Sequence, residues 1–379
     1  MKRLLKNILL IVFMITTLIM FITHTGELVH TVHQTIELWL TRIFPILFPF
    51  YILGTLFIHY GISHFIGELL SPITRFLFKT KAISGFVLLM AMISGNPQSA
   101  MMIAELYQQG GVNKREAEHL LKFSVFANPL FIIGTIGVGY FYSLKIGVII
   151  LISHVLSNIV IGFYLRFSQP PLPYAEGIRP YHQLVKHQTK KPFGEILTIT
   201  LQKGLNIMFL VCGFMIFFNI FVLLLTESNT LTVFYQFVTV GGKIPIPYDA
   251  YYSIMIGIFE IVRFLDVITK TDLTVHSQVT LIATMLSFGG LSIHAQIQSV
   301  LERVKVPYRP FLFYRIVQMM LSGLFAYFLF PYLYQEEKTI EVVKLFEQFH
   351  HLQILSIICF LIILLIIYII TQKRKTIKT

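Results

Sequence analysis

Apolar runs long enough to cross a bilayer recur along this chain, and no other feature restricts its fold so far. At roughly 20 residues per crossing, the uninterrupted runs are 7–23, 144–165, 205–225, 311–334 and 352–371. In hydrocarbon every backbone amide and carbonyl must be satisfied within the protein, so runs of this length span as helices. With 55% apolar and 13% charged residues among 379 positions, most of the chain would have no soluble interior to occupy. The sequence therefore predicts an all-α, polytopic membrane protein.

A net charge of +12 would suggest a nucleic-acid partner in a soluble protein. Here the cations gather between apolar runs. Lys2, Arg3 and Lys6 precede the first run, Arg166, Arg179, Lys186, Lys190 and Lys191 fill the longest polar connection, and Lys373, Arg374, Lys375 and Lys378 close the chain. Cytoplasmic segments have this pattern. Both termini and the connection are thus expected on the cytoplasmic side of a bacterial cell membrane, with membrane lipid and no nucleic acid as partner. The first run has the basic flank of a signal peptide, but His24-Thr25-Gly26-Glu27 offers no small-x-small cleavage site, so an uncleaved helix is expected. Cys212 and Cys359 sit in apolar runs and support neither a disulfide framework nor a thiolate metal site.

Proline and glycine supply the internal punctuation. Pro170, Pro171, Pro173, Pro180 and Pro192 mark residues 166–193 as a polar linker between two halves. The expected organisation is an N-terminal helix and connection (1–38), a first half (39–165), this linker (166–193), a second half (194–335), and a C-terminal helix with a basic tail (336–379). Pro45, Pro49 and Gly54 are expected to kink or unwind the span 39–60. Residues 64–78 are amphipathic, with Arg75, Lys79 and Lys81 at their end, and are expected to lie along the interface.

The halves are expected to repeat one plan of discontinuous or re-entrant helices. In the first, an apolar run breaks at Ser94-Gly95-Asn96-Pro97-Gln98-Ser99 and a later helix breaks at Ala127-Asn128-Pro129. In the second, the breaks are Phe259-Glu260 and Ser287-Phe288-Gly289-Gly290-Leu291-Ser292. The spacing is similar, 33 residues from Ser94 to Ala127 and 28 from Glu260 to Phe288.

Interrupted helices leave backbone groups free at membrane depth, where they bind ions and polar solutes. Asn96, Gln98, Ser99 and Asn128 are the candidates of the first half. In the second, Glu260 lies in an apolar stretch where a charge costs roughly 2.5–3.5 kcal/mol to insert. It is either a site carboxylate or neutralised by Arg263, three residues on. Ser287, Ser292, His294, Gln296 and Gln298 alternate with apolar residues, which suggests a locally extended backbone. His350-His351 has no carboxylate or thiolate cluster nearby and makes a poor metal site. Phosphate-loop, zinc-protease, C-x-x-C and G-x-S-x-G patterns are absent, so neither an enzyme nor a cofactor is expected.

Several of these segments resemble the YlbJ family of sporulation integral membrane proteins, which contain the nucleoside-recognition or Gate domain. The resemblance runs over about residues 40 to 330. It is carried by Ser94 to Ala100, Ala104-Glu105-Leu106-Tyr107, Glu116-Ala117-Glu118, Ala127 to Gly134, Gly257-Ile258-Phe259-Glu260-Ile261, Ser287 to Gln296 and Tyr308-Arg309-Pro310-Phe311. Gate domains also occur in concentrative nucleoside transporters and ferrous-iron permeases, so the resemblance implies two Gate-like halves and a transport scaffold. By position Glu260 would contact the solute, with Asn96, Gln98 and Ser292 nearby. Phe259 stands where the nucleoside carriers have asparagine, the acidic residue of their first hairpin is absent from 94–99, and Val125 and Phe126 replace small polar residues. YlbJ-type proteins are associated with dipicolinate movement around the developing spore. A permease for a small polar or anionic metabolite is the expected function, with a non-transporting scaffold as its rival. A coupling cation or proton and homo-oligomeric assembly are left open.

Overall fold

Every regular element is a helix in the computed structural model, which describes residues 2–168, 191–241 and 246–334. The expected span 352–371, the basic tail and most of the proline-rich linker lie outside the described residues. Among those described, five helices are long and apolar enough to cross a membrane: Thr25–His59, Leu144–Ser168, Phe193–Glu227, Val275–Glu302 and Tyr308–Leu333. They contain the expected runs 144–165 and 205–225 and all but the last residue of 311–334, and 7–23 forms most of α1 (Lys2–Thr23). The molecule is a polytopic α-helical membrane protein.

The span 39–60 carries its irregularity as one widened turn at its start. α2 (Thr25–Leu38) passes through one π-helical turn, Trp39–Ile43, into α3 (Phe44–His59) without a break. Pro45 has no N–H to give Thr41 O, so the ladder shifts and Phe44 N–H reaches back to Trp39 O. The proline widens a turn rather than ending the helix. α4 (Ile62–Phe78) starts after Gly61 and meets α5 (Ile83–Ser94) at 91°.

α5 and α6 (Gln98–Gln108) form a hairpin that returns to the face it left. Lys81, just before α5, pairs at 2.6 Å with Glu116 of α7 (Lys114–Leu121), just after α6. α7 opens with a capping box: the Asn113 side chain accepts from Glu116 N–H, and the Glu116 carboxylate accepts from Asn113 N–H. Residues 124–128 have no regular structure, and a π-helix, Phe131–Tyr140, leads to α8 (Leu144–Leu165).

α9 (Phe193–Glu227) connects the two faces. Lys203 near its start lies 3.3 Å from Glu105 of the first hairpin, and Thr226 at its end lies 3.3 Å from the Tyr252 hydroxyl of the second. Those positions are about 35 Å apart at 1.5 Å per residue, enough to traverse the hydrocarbon. α10 (Thr230–Gln236) follows, then the second hairpin, α11 (Tyr248–Phe259) and α12 (Ile261–Ile268). Tyr248 and Asp249 at its start share one cavity wall with Lys270 and Asp272 just past its end, so it too leaves and returns at one face, opposite the first.

α13 (Val275–Phe288) and α15 (Tyr308–Leu333) pack against each other and α8. α14 (Gly290–Arg303) continues from α13 after a break confined to Gly289 and Gly290, at φ +93° and +69°. The extended backbone expected from polar alternation over 287–298 is not there. Two left-handed glycines supply the interruption, and the chain is helical on either side.

Candidate solute site

The breaks of both halves meet. A cavity of about 110 Å³ lies where the first hairpin tip, the 124–128 segment, the second hairpin tip and the start of α14 converge. Its polar groups are Arg42, Ser94, Asn96 and Asn128 from the first half and Glu260, Ser292 and Gln296 from the second.

Backbone contact holds each tip in place. Gly95 sits at φ +76° against Asn128, so close that a Cβ would lie 2.5 Å from Asn128 N. Asn128 knits the junction: its amide nitrogen donates to Ile93 O (3.2 Å) and Ser94 O (3.4 Å), and its oxygen accepts from Leu130 N–H (2.7 Å) and Phe131 N–H (3.3 Å). Asn128 therefore lines the cavity with its hydrogen-bonding groups already engaged. In the second half a Cβ on Gly290 would lie 3.1 Å from Gly257 O and 3.2 Å from Phe259 O, so glycine allows the second tip to seat on the α13–α14 break.

Glu260 is an extended residue (φ −145°, ψ 119°) between α11 and α12, and is 2% exposed. It caps α12, its Oε2 accepting from Arg263 N–H at 2.6 Å. Among the described residues no ion pair joins the Glu260 and Arg263 side chains. Because Glu260 precedes the helix rather than lying in it, the i,i+3 spacing does not stack the two. Arg263 is exposed toward a separate polar vestibule, while the carboxylate borders the inner cavity. Asn96 Oδ1 is buried there without a hydrogen-bond partner, a state that costs about 1–3 kcal/mol. Together these place an acidic group and an unpartnered acceptor beside one small space, which Arg42 also borders.

The other sequence candidates lie elsewhere. Gln98 turns to α3, donating to Leu47 O at 3.1 Å with its amide oxygen accepting from Tyr51 N–H. Ser99 is buried in α6 with an unpartnered hydroxyl, outside the cavity wall. His294 lies 2.9 Å from Phe288 O and 2.7 Å from the Tyr308 hydroxyl, spanning the glycine break. Ser287 contacts His154. Gln98, Ser287 and His294 thus bond to the scaffold that holds the breaks.

That scaffold includes residues sequence reasoning passed over. Arg315 of α15, fully buried, donates to Val125 O (2.8 Å), Lys122 O (3.3 Å) and Asn158 Oδ1 (3.0 Å). Asn158 in turn donates to Val125 O at 3.3 Å. These bonds satisfy carbonyls that the non-helical chain after α7 would otherwise leave bare in the membrane. His154 Nε2 accepts from Ala127 N–H at 2.9 Å, which fixes the ring proton on Nδ1, and Nδ1–H donates to Ser287 Oγ at 2.8 Å. One imidazole thereby ties the break of the first half to that of the second. Arg42, also missed, lies in the π-turn and reaches the cavity mouth. A lone charge among Trp39, Leu40, Ile43 and Phe44 was the available signal.

Fold and site together define a polytopic membrane protein in which broken helices from two halves meet at a small cavity, with a few polar groups set in a mostly apolar wall. A family model described as Gate, nucleoside recognition, matches residues 40–146. The sporulation integral membrane protein YlbJ of Bacillus subtilis (strain 168) is 30% identical over 314 residues, covering 79% of this chain and 76% of that protein. The chain belongs to the YlbJ family of sporulation integral membrane proteins. No solved structure matches it.

Proposed function

We propose that this protein is a secondary transporter for a small polar or anionic metabolite, linked to sporulation as its relative's name implies, and not an enzyme. The observation that carries the reading is the convergence of both hairpin tips, with Glu260 and the open Asn96 acceptor, on one small cavity at the meeting point of the halves. Discontinuous helices that meet in this way supply a polar site within the bilayer. The face at the base of the first hairpin carries Lys79, Lys81, Lys114, Arg115, Arg166 and Lys191 and, by the positive-inside rule, is the cytoplasmic one in this reading. The vestibule at the second hairpin then opens to the other side.

Uptake into proteoliposomes tests the proposal, with dipicolinate and uridine as labelled solutes. Wild-type protein is expected to carry at least one of them above protein-free vesicles. Glu260→Ala and Asn96→Ala are each expected to lower the rate about tenfold, the equivalent of about 1.4 kcal/mol. Full transport by both variants would refute the site. No uptake of either solute by correctly inserted wild-type protein would refute the solute class.

A further inference from the structure

Charged groups outside the inner cavity have no part in the reading so far. The vestibule at the base of the second hairpin measures about 770 Å³, and a passage of about 40 Å³ lies between it and the inner cavity. The three spaces share walls. Arg263 and Asp266 line vestibule and passage, Glu260 lines passage and inner cavity, and Arg42 lines vestibule and inner cavity. The throat is thus built from α2, α9 and the returning arm of the second hairpin, with Arg42 of the π-turn lining the spaces on either side of it.

Two guanidinium groups stand at this throat. Neither Arg42 nor Arg263 has a carboxylate within 4.0 Å among the described residues. Asp266, on the same wall, accepts a hydrogen bond from the Tyr140 hydroxyl. Arg263 lines the passage itself, and Arg42 lines the spaces at both of its ends. Guanidinium presents a planar fork of donors that matches an oxyanion in bidentate fashion. Glu37, Asp249 and Asp272 also line the vestibule and disfavour a ligand that is anionic over its whole surface.

We propose that Arg42 and Arg263 form an oxyanion-capture site at the throat, which holds the carboxylate or phosphate group of a small solute before it reaches the inner cavity. The proposal rests on the transport reading only for the onward passage of the captured solute, since capture itself is a binding event. Calorimetric titration of the purified full-length protein, at constant ionic strength, uses benzoate and inorganic phosphate as probes, with chloride as the control anion. Saturable binding of one oxyanion is expected, and the one that saturates distinguishes carboxylate from phosphate. Arg42→Gln and Arg263→Gln are each expected to weaken it about tenfold, and Arg42→Lys and Arg263→Lys to restore part of the loss. Gel filtration and thermal midpoints matching wild type establish that the variants fold. Binding of neither oxyanion, or wild-type affinity in both glutamine variants, overturns capture. Capture with unimpaired uptake by Glu260→Ala and Asn96→Ala instead overturns the inner site alone.

Discussion

Gly95→Ala should do more damage than any other single methyl group added to the hairpin tips. The new Cβ would lie 2.5 Å from Asn128 N and 2.8 Å from both Asn128 Cα and Cβ, most of it backbone that cannot swing aside. At φ +76° and ψ −164° the residue also occupies a region reserved almost wholly for glycine, which costs a side-chain-bearing residue about 1–3 kcal/mol. Forcing the 128 segment away adds about 1–3 kcal/mol of overpacking, and strains the Asn128 bonds to Ile93 O and Ser94 O. The sum, about 2–6 kcal/mol, corresponds to between one and four powers of ten in the folding equilibrium. Gly134→Ala is the control, because nothing lies within 4 Å of the point its added methyl would occupy and its φ is ordinary. Titration of the micellar protein with SDS provides the assay, read by the fluorescence of Trp39, the single tryptophan, whose ring lies 5.2 Å from Phe44. Gly95→Ala should unfold at a distinctly lower SDS fraction and Gly134→Ala close to wild type. Equal midpoints for Gly95→Ala and wild type would refute the packing argument.

Three further outcomes are expected. Burial, aided by Lys122, pushes the His119 imidazole of α7 down to about 4. Its folded value lies below the unfolded 6.5, so stability is complete above pH 6.5 and falls as pH drops toward 4. The loss is at most about 3 kcal/mol, and an SDS titration series against pH should show the slope flattening in His119→Leu. Arg315→Met should destabilise by at least about 3 kcal/mol, since it removes charged donors worth about 1.5–3 kcal/mol each from Val125 O, Lys122 O and Asn158; an unchanged SDS midpoint would count against its role. On intact cells, with Cys212 and Cys359 replaced by serine, an impermeant maleimide should label Asp272→Cys and leave Lys81→Cys unmodified, and the reverse pattern would overturn the orientation.

The sequence revealed the spans and breaks because both depend on local chemistry. Long apolar runs must be helical in lipid, and Gly95-Asn96-Pro97, Glu260 and Gly289-Gly290 interrupt them wherever the structure does. What could not be read was direction. Gln98 and Ser99 are one and two residues past the first tip, yet α6 has resumed and helical geometry carries them away from the cavity. Ser292 and Gln296 face it together because they are four apart on α14, a relation hidden by the apparent alternation. Pro45 marked an irregular span, and only the shift of the Phe44 N–H to Trp39 O shows how the helix absorbs it. Arg315 and His154 act across more than 100 residues of sequence, which no local pattern encodes.

The separation of Glu260 from Arg263 has the widest consequence for the chemistry. In sequence they form one charged patch, and a patch of that kind could simply neutralise itself. In the structure Glu260 is the extended residue before α12 and Arg263 its third helical residue, so one faces the inner cavity while the other meets the vestibule. Guanidinium groups line the outer space, beside Glu37, Asp249, Asp266 and Asp272, and the carboxylate that borders the inner cavity is Glu260. Under the proposed transport function, a solute would meet guanidinium groups first and acceptors second. The solute best matched to that order carries an oxyanion at one end and hydrogen-bond donors at the other. A purely anionic solute would satisfy the throat and then face Glu260 and the Asn96 carbonyl, so its passage would require a proton or cation to accompany it.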